Sequence, residues 1–392
     1  MKEKNDFIKI ITRDKNLPTV IAFSSVNTPK GKFKPFKIIN SSNLNIIFVN
    51  DDGNRWYQNG IDGISADSKN CAEKLVAYAR TIGNGRVITF GTSMGAYGAA
   101  LYALLGNADG CLAFGVESEI GLPGSRSEIY CINKVKNAYS NLNELINHSS
   151  LPFYFFASES DEIDLISILS LSGENIERYL IKGIEHPGVQ LYDIDGKVGE
   201  LILEFANTLK VNIRSHRIYN LKRKGNEKLA FELYNAMLIK NSGNHKAWLD
   251  FLININDKFK LNPVLLSKLG EAYQKNGKTY DANEAWLQSI KLCNFQSEAL
   301  AKLGANLRRQ GQTYQAKKLL LRSVEINPFS AHAHHTLAQI FIDLDETIRA
   351  EQHFREACRL NKGNSAFQKS LMNFLELDIN KKTAELSRMK NI

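Results

Sequence analysis

Arg86-Val87-Ile88-Thr89-Phe90-Gly91-Thr92-Ser93-Met94-Gly95-Ala96-Tyr97-Gly98 passes from a β-branched and aromatic run, through a pentapeptide of the form G-x-S-x-G, into a row of small residues. Arg86 to Phe90 reads as a strand and Ala96 to Leu105 as a closely packed helix. A serine between them stands on a sharp strand-to-helix turn that lifts its Oγ above the sheet edge, and the flanking glycines give that turn room.

A serine hydroxyl needs a base to take its proton, and the base needs a third group to fix its tautomer. Both types follow in the chain. The strand-like Pro152 to Ala157 leads into Ser158-Glu159-Ser160-Asp161-Glu162, and Glu177 to Lys182 leads into Gly183-Ile184-Glu185-His186-Pro187-Gly188. The reading is Ser93 as nucleophile, His186 as general base and acid, and Asp161 as the orienting carboxylate, with Glu159, Glu162 and Asp164 close enough to compete for the last role. His148 sits in a polar helix end before the acid loop. Donors for a developing oxyanion are expected from the N–H of Met94, at the start of a helix, and from Ser25 or Val26 after the strand Thr19 to Ser24. The loop Asp51 to Tyr57 carries Arg55, Trp56 and Tyr57, whose aromatics suit stacking on a sugar face or anchoring of their own loop. An insertion between Gly121 and Ser150, with Arg126 and Tyr130, has the size of a small lid.

Working outward, the first 210 residues alternate strand-like and helix-like stretches, the pattern of a mostly parallel sheet with helices on both faces. The remaining strands are Phe7 to Thr12, Asn45 to Asn50 and Cys111 to Val116. Asp67 to Thr81 places Cys71, Leu75, Val76 and Tyr78 on one helical side, and Val198, Leu201, Ile202, Phe205 and Leu209 mark the helix expected to close the domain at about residue 210.

Residues 211–392 change period. Consecutive units of 34 residues begin at Pro263, Ser297 and Ala331. Position 8 holds Gly270, Gly304 and Ala338; position 20 holds Ala282, Ala316 and Ala350; position 24 holds Trp286, Leu320 and Phe354; Pro328 stands at position 32. Small residues let paired helices approach and large ones fill the groove between them. A weaker unit from about Val211, with Gly225, Ala230 and Tyr234 and a shortened segment around Trp248, precedes them.

The formal charge is +9, with the basic excess in residues 211–392 and a slightly acidic first part. Such repeats suit a polyanion, an anionic membrane surface met peripherally, or a solvated lysine-rich face; nucleic acid is not the expected partner. No apolar run is long enough to span a bilayer, and Met1 to Asp6 leads into no apolar signal region. Cys71, Cys111, Cys131, Cys293 and Cys358 are odd in number and scattered, which points away from a disulfide framework and towards a reducing, cytoplasmic setting. His332, His334 and His335 lack acidic or thiol partners at ligand spacing and read as helix surface, Asp193 to Gly196 reads as a turn, and no phosphate-binding glycine loop opens a helix. Neither metal nor cofactor is expected.

The order Ser93, acid, His186, each beyond the carboxyl end of a strand, resembles the α/β-hydrolase superfamily, and the 34-residue units resemble tetratricopeptide repeats. Together they imply an α/β-hydrolase-type domain over residues 1–210 and an all-α repeat domain over residues 211–392. The first resemblance implies a serine hydrolase or acyltransferase working through an acyl-serine on an acyl ester or acyl donor. Ala22-Phe23-Ser24-Ser25, Gly91 to Gly98 and trailing repeats are loosely similar to bacterial proteins of surface-polysaccharide production. That similarity implies an O-acetyl esterase or O-acetyltransferase on a capsule, with an acidic glycan acceptor held by basic repeats. Two other readings stand beside it: a tetratricopeptide interaction protein with an idle hydrolase fold, and a peptidase or thioesterase whose protein substrate the repeat groove recruits.

Overall fold

A computed structural model of the chain describes residues 4–40, 42–131, 139–194, 197–221 and 227–390. It contains two compact units, Met1–Asn244 and His245–Ile392.

The first unit is built on nine strands: β1 (Lys4–Asn5), β2 (Ile8–Ile11), β3 (Thr19–Phe23), β4 (Asn45–Val49), β5 (Val87–Thr92), β6 (Gly110–Phe114), β7 (Phe153–Ser158), β8 (Ile176–Ile181) and β9 (Ile218–Asn220). They form one sheet in the order β1-β2-β4-β3-β5-β6-β7-β8-β9. The six from β3 to β8 run parallel, and β1, β2 and β9 make antiparallel edges. Thr19–Phe23 and Asn45–Val49 are buried at every residue, because helices cover both faces and each side chain, whichever way it points, meets apolar matter. Helix Ser68–Ile82 starts where the Asp67 side chain accepts the Asn70 N–H, and it buries Cys71, Leu75, Val76 and Ala79. Helix Met94–Gly106 is apolar all round and sits in the core, and Val198–Thr208 buries Val198, Leu201, Ile202 and Phe205.

All seven expected strands are present. The boundary differs, since the first unit runs to Asn244 rather than 210. Ile218–Asn220 pairs antiparallel with β8, and helix Glu227–Asn241 packs on helix Glu162–Ser170. Ala230 and Tyr234, expected as repeat positions, are buried on that helix, and the Tyr234 hydroxyl donates to Pro123 O at 3.0 Å. Gly225 lies outside the described residues, as do Asp195 and Gly196 of the expected turn.

The second unit begins with helix His245–Lys258. Three helix pairs follow: Pro263–Lys275 with Thr279–Leu292, Ser297–Arg309 with Thr313–Ile326, and Ala331–Asp343 with Thr347–Leu360; helix Ser365–Lys390 closes the unit. The repeat positions act as their sizes demand. A Cβ on Gly270 would stand 2.5 Å from Trp286 Nε1, and one on Gly304 2.8 Å from Leu320 Cγ, so position 8 is small because position 24 fills its space. Position 27 ties the pair together: Ser289 Oγ donates to Pro263 O and Ser323 Oγ to Ser297 O, both at 2.7 Å. Position 15 makes the turn at φ of 76°, 78° and 58° in Gly277, Gly311 and Asp345.

Candidate functional site

Ser93 stands between β5 and helix Met94–Gly106 with φ 56° and ψ −125°, a conformation a non-glycine residue holds only when its surroundings enforce it. A Cβ on Gly91 would lie 1.9 Å from Gly95 O, and one on Gly95 would lie 2.4 Å from Phe23 O. Both glycines are therefore required by space. The Ser93 N–H donates to Phe114 O at 2.9 Å, fixing the turn to the neighbouring strand.

His186 Nε2 is 2.8 Å from Ser93 Oγ, and His186 Nδ1 is 2.6 Å from Asp164 Oδ1. If Oγ donates to Nε2, then Nδ1 carries the hydrogen shared with Asp164, so one tautomer satisfies both contacts. The other Asp164 oxygen accepts the Ser158 N–H at 3.0 Å, and Asp164 is almost wholly enclosed. This corrects the expected acid. Asp161 is consumed locally: its Oδ1 accepts the Asp164 N–H at 2.9 Å as the N-cap of helix Glu162–Ser170, and its Oδ2 pairs with Arg126 Nη2 at 2.6 Å. Burial works against the Asp161 charge, but Arg126, His186 and the Asp164 N–H outweigh it and hold the carboxyl down at about 2. Glu159 Oε2 accepts the Tyr219 hydroxyl.

Three supporting residues were not singled out from sequence. Gly115, just past β6 at φ 63°, leaves the space where a Cβ would meet His186 Cε1 at 2.7 Å. Ser158 links the acid and histidine loops, its N–H to Asp164 and its Oγ to Ile184 O at 2.7 Å. Glu117 accepts the N–H groups of Arg126 and Ser127, and burial raises its carboxyl above the ordinary range despite those bonds. A glycine near the end of the expected strand Cys111 to Val116 was the available signal for the first. Arg126 belongs to short helix Arg126–Tyr130 within the expected lid, and part of that lid, residues 132–138, lies outside the described residues.

The substrate loop is also corrected. Trp56 and Tyr57 are 1% and 0% exposed, so neither offers a face to a sugar. The Tyr57 hydroxyl donates to Ser24 O at 2.7 Å, and Arg55 pairs with Asp51 and Asp62. Burial lifts the Asp51 carboxyl to about 6 against the pull of the Tyr57 N–H and Arg55. Of the expected oxyanion donors, Met94 opens the helix next to Ser93, and the loop of Ser25 and Val26 is tied back by Thr28 Oγ1 on Ser25 O and Lys34 Nζ on Val26 O.

Asp161, Asp164 and His186 bring three ligand-type atoms within 4.8 Å of one another. Arg126 Nη2 and Nη1 stand 2.6 and 3.8 Å from the two carboxylates. A guanidinium thus supplies the positive charge that a metal ion would bring there.

A second candidate site lies on the repeats. His332, pushed down by burial, feels the cations Lys302 and Arg309, and His335, also pushed down by burial, feels Arg308. These side chains come from helices Ser297–Arg309 and Ala331–Asp343, the first helices of consecutive pairs. Arg308, which pairs with Asp343 at 2.6 Å, lines a cavity of about 410 Å³ with Gln339, Asn373, Lys381 and the acids Asp345 and Asp378. His332 keeps exposed surface, as expected, but the other two differ from the surface role expected of them: His334 is buried between His353 Nδ1 at 2.9 Å and Pro328 O at 3.0 Å, and His335 stacks on Phe367.

In class the chain is thus a mixed α/β unit holding a Ser–His–Asp arrangement, followed by tetratricopeptide-type repeats. No protein-family model matches it, and no curated protein does. Among solved structures it is similar to MamA of Desulfovibrio magneticus RS-1 (20% identity, 42% of this chain and 93% of that one, TM-score 0.35). It is also similar to PilF of Pseudomonas aeruginosa (14% identity, 40% and 71%, TM-score 0.35). A third likeness is to the first tetratricopeptide repeat domain of Spaghetti (RPAP3) bound to the HSP90 peptide SRMEEVD (15% identity, 29% and 91%, TM-score 0.28). These likenesses are to repeat proteins, one of them holding a peptide. The expected esterase or O-acetyltransferase of surface polysaccharide is not upheld by them, and the interaction-protein alternative accords with them better. No helix among the described residues is long and apolar enough to cross a membrane.

Proposed function

We propose that the chain is an interaction protein whose repeats dock a polypeptide partner through an acidic segment. The observation that carries this is the set Lys302, Arg309, His332 and His335 on the first helices of successive pairs, beside a cavity whose walls carry amide and apolar groups together with Asp345, Asp378 and an Arg308 already paired with Asp343. Lysine and arginine supply charge-assisted bonds to carboxylates, and Gln339 and Asn373 can bond an extended backbone. Calorimetric titration of the full chain with acidic peptides ending in a free carboxylate, SRMEEVD among them, is the test. Binding that weakens at least tenfold in Lys302→Glu/Arg309→Glu and falls with salt supports the reading; equal binding by the charge-reversed protein removes it.

A second reading is favoured by the 2.8 and 2.6 Å contacts of His186: the first unit is an α/β-hydrolase-type peptidase or thioesterase acting on a recruited polypeptide. In that reading Ser93 Oγ attacks a carbonyl carbon as its proton passes to His186 Nε2, and Asp164 stabilises the imidazolium. The Met94 N–H, with that of Ser25 or Val26, receives the oxyanion. His186 returns the proton to the leaving amine or thiolate. Water then attacks the acyl-serine, giving its proton to His186, and Ser93 leaves with it. Fluorophosphonate labelling followed by intact mass tests this. A single adduct lost in Ser93→Ala and slowed in His186→Ala supports it, and absence of labelling in folded protein removes it.

A further inference from the structure

Arg126 is launched from a firmly built turn. Its N–H donates to Glu117 Oε1 at 2.9 Å, the Ser127 N–H donates to Glu117 Oε2 at 3.0 Å, and Ser125 Oγ accepts the Glu128 N–H at 3.1 Å. The preceding turn is seated by helix Glu227–Asn241, through Tyr234 on Pro123 O and through Met237, whose Cε lies 2.6 Å from where a Gly124 Cβ would stand. From there the guanidinium reaches Asp161 Oδ2 at 2.6 Å, Asp161 Oδ1 at 3.5 Å and Asp164 Oδ1 at 3.8 Å. The last of these oxygens is the one that meets His186 Nδ1.

Asp161 and Asp164 are thus two carboxylates in one helical turn, with oxygens within 4.8 Å of one another. Like charges held so close do not both ionise readily, and a shared proton would leave Asp164 unable to steady an imidazolium. We propose that Arg126 is a positioning residue: its guanidinium lets Asp161 and Asp164 be ionised together and so keeps Asp164 available as the charged partner of His186. The proposal rests on the reading of Ser93 as an activated nucleophile. The charged groups facing the pair are Arg126 and Glu117 from the segment after β6, and His186 from the segment after β8. Arg126, Asp161 and Asp164 sum to one negative charge, while Glu117 is common to every variant below.

The test is the pH dependence of the fluorophosphonate labelling rate at Ser93 in the full chain. Arg126→Met leaves two uncompensated carboxylates, and the acid limb of its profile moves to higher pH by about one unit. Arg126→Lys keeps the charge and stays near wild type. Asp161→Asn, which still caps the helix, moves the limb to lower pH, and Arg126→Met/Asp161→Asn returns it to the wild-type position. A purely structural arginine would lower the rate at every pH, leave the limb in place and gain nothing from the second substitution. An unmoved limb in Arg126→Met, or a double variant that stays with Arg126→Met, overturns the proposal. Should Arg126→Met not fold, the direction of the Asp161→Asn shift decides. Wild type labelled at Ser93 with unmoved limbs defeats this inference alone; wild type not labelled at all defeats the nucleophile reading and this inference together.

Discussion

Asp164 Oδ1 lies 2.6 Å from His186 Nδ1, while Asp161, one turn earlier, is taken up by its own helix and by Arg126. The two carboxylates belong to one loop and do different work. Asp164 holds the imidazole; Asp161 holds the turn that presents Asp164.

Substitution should separate these roles. Asp164→Asn is expected to slow labelling of Ser93 by about three orders of magnitude, since the amide favours the wrong imidazole tautomer. Asp161→Asn retains the cap and should slow it by less than about tenfold at neutral pH. Second-order labelling rates check both, and equal losses would contradict the assignment of Asp164.

Gly115 offers a steric test. An alanine methyl there would enter the space of His186 Cε1 and Nδ1, 2.7 and 2.8 Å away, at a backbone angle that side chains rarely adopt. Gly115→Ala should lower the labelling rate at least tenfold and cost about 1–2 kcal/mol of stability. Denaturant unfolding beside the labelling rate checks the pair of effects, and an unchanged rate would show that the ring is not so confined.

In the repeats, Trp286 and Gly270 occupy one another's space. Trp286→Ala should destabilise the second unit by about 3–5 kcal/mol, as deletion of a buried large side chain does. Gly270→Ala should also destabilise, and Gly270→Ala/Trp286→Leu should recover part of the loss because the smaller side chain makes room. Chemical denaturation of the full chain, followed by the second unit's tryptophan signal in a background lacking Trp56, reads this. Additive losses in the double variant would deny the contact.

The paired imidazoles make the second unit sensitive to acid. Burial pushes His353 down to about 4 and also lowers His334, so both fold as neutral rings. The stability they contribute is present above about pH 6.5 and is lost as pH falls towards 4. Asp51, raised to about 6, acts in the opposite sense over part of that range, so the comparison is with a variant. His353→Gln retains a donor for His334 and should lose less thermal stability than wild type between pH 7 and pH 5. Differential scanning calorimetry at the two pH values checks it, and parallel losses would count against the pair.

Much of the first unit was legible because its parallel strands are buried on both faces and read as unbroken β-branched and aromatic runs. Ser93 and His186 stood out by their places after such runs. Asp164 did not, because four acids share the loop and composition cannot rank them. The helix starting at Glu162 held a usable clue, since the residue before it is an N-cap whose carboxylate is already engaged. Trp56 and Tyr57 were legible as aromatics on a loop but not as core, which depends on the loop folding inwards over helix Met94–Gly106. Period found the repeats, whereas the strand Ile218–Asn220 is too short to show any.

The pairing of β9 with β8 and the seating of Pro123 and Gly124 by Tyr234 and Met237 bear on how the chain folds as it is made. Ser93, Asp164 and His186 leave the ribosome well before the segments that close the sheet edge and pack behind Arg126. A nascent chain paused between residue 187 and residue 244 therefore carries Ser93, Asp164 and His186 without all of their supports, so a serine activated as proposed would gain that activation late, near the moment when translation reaches the repeats.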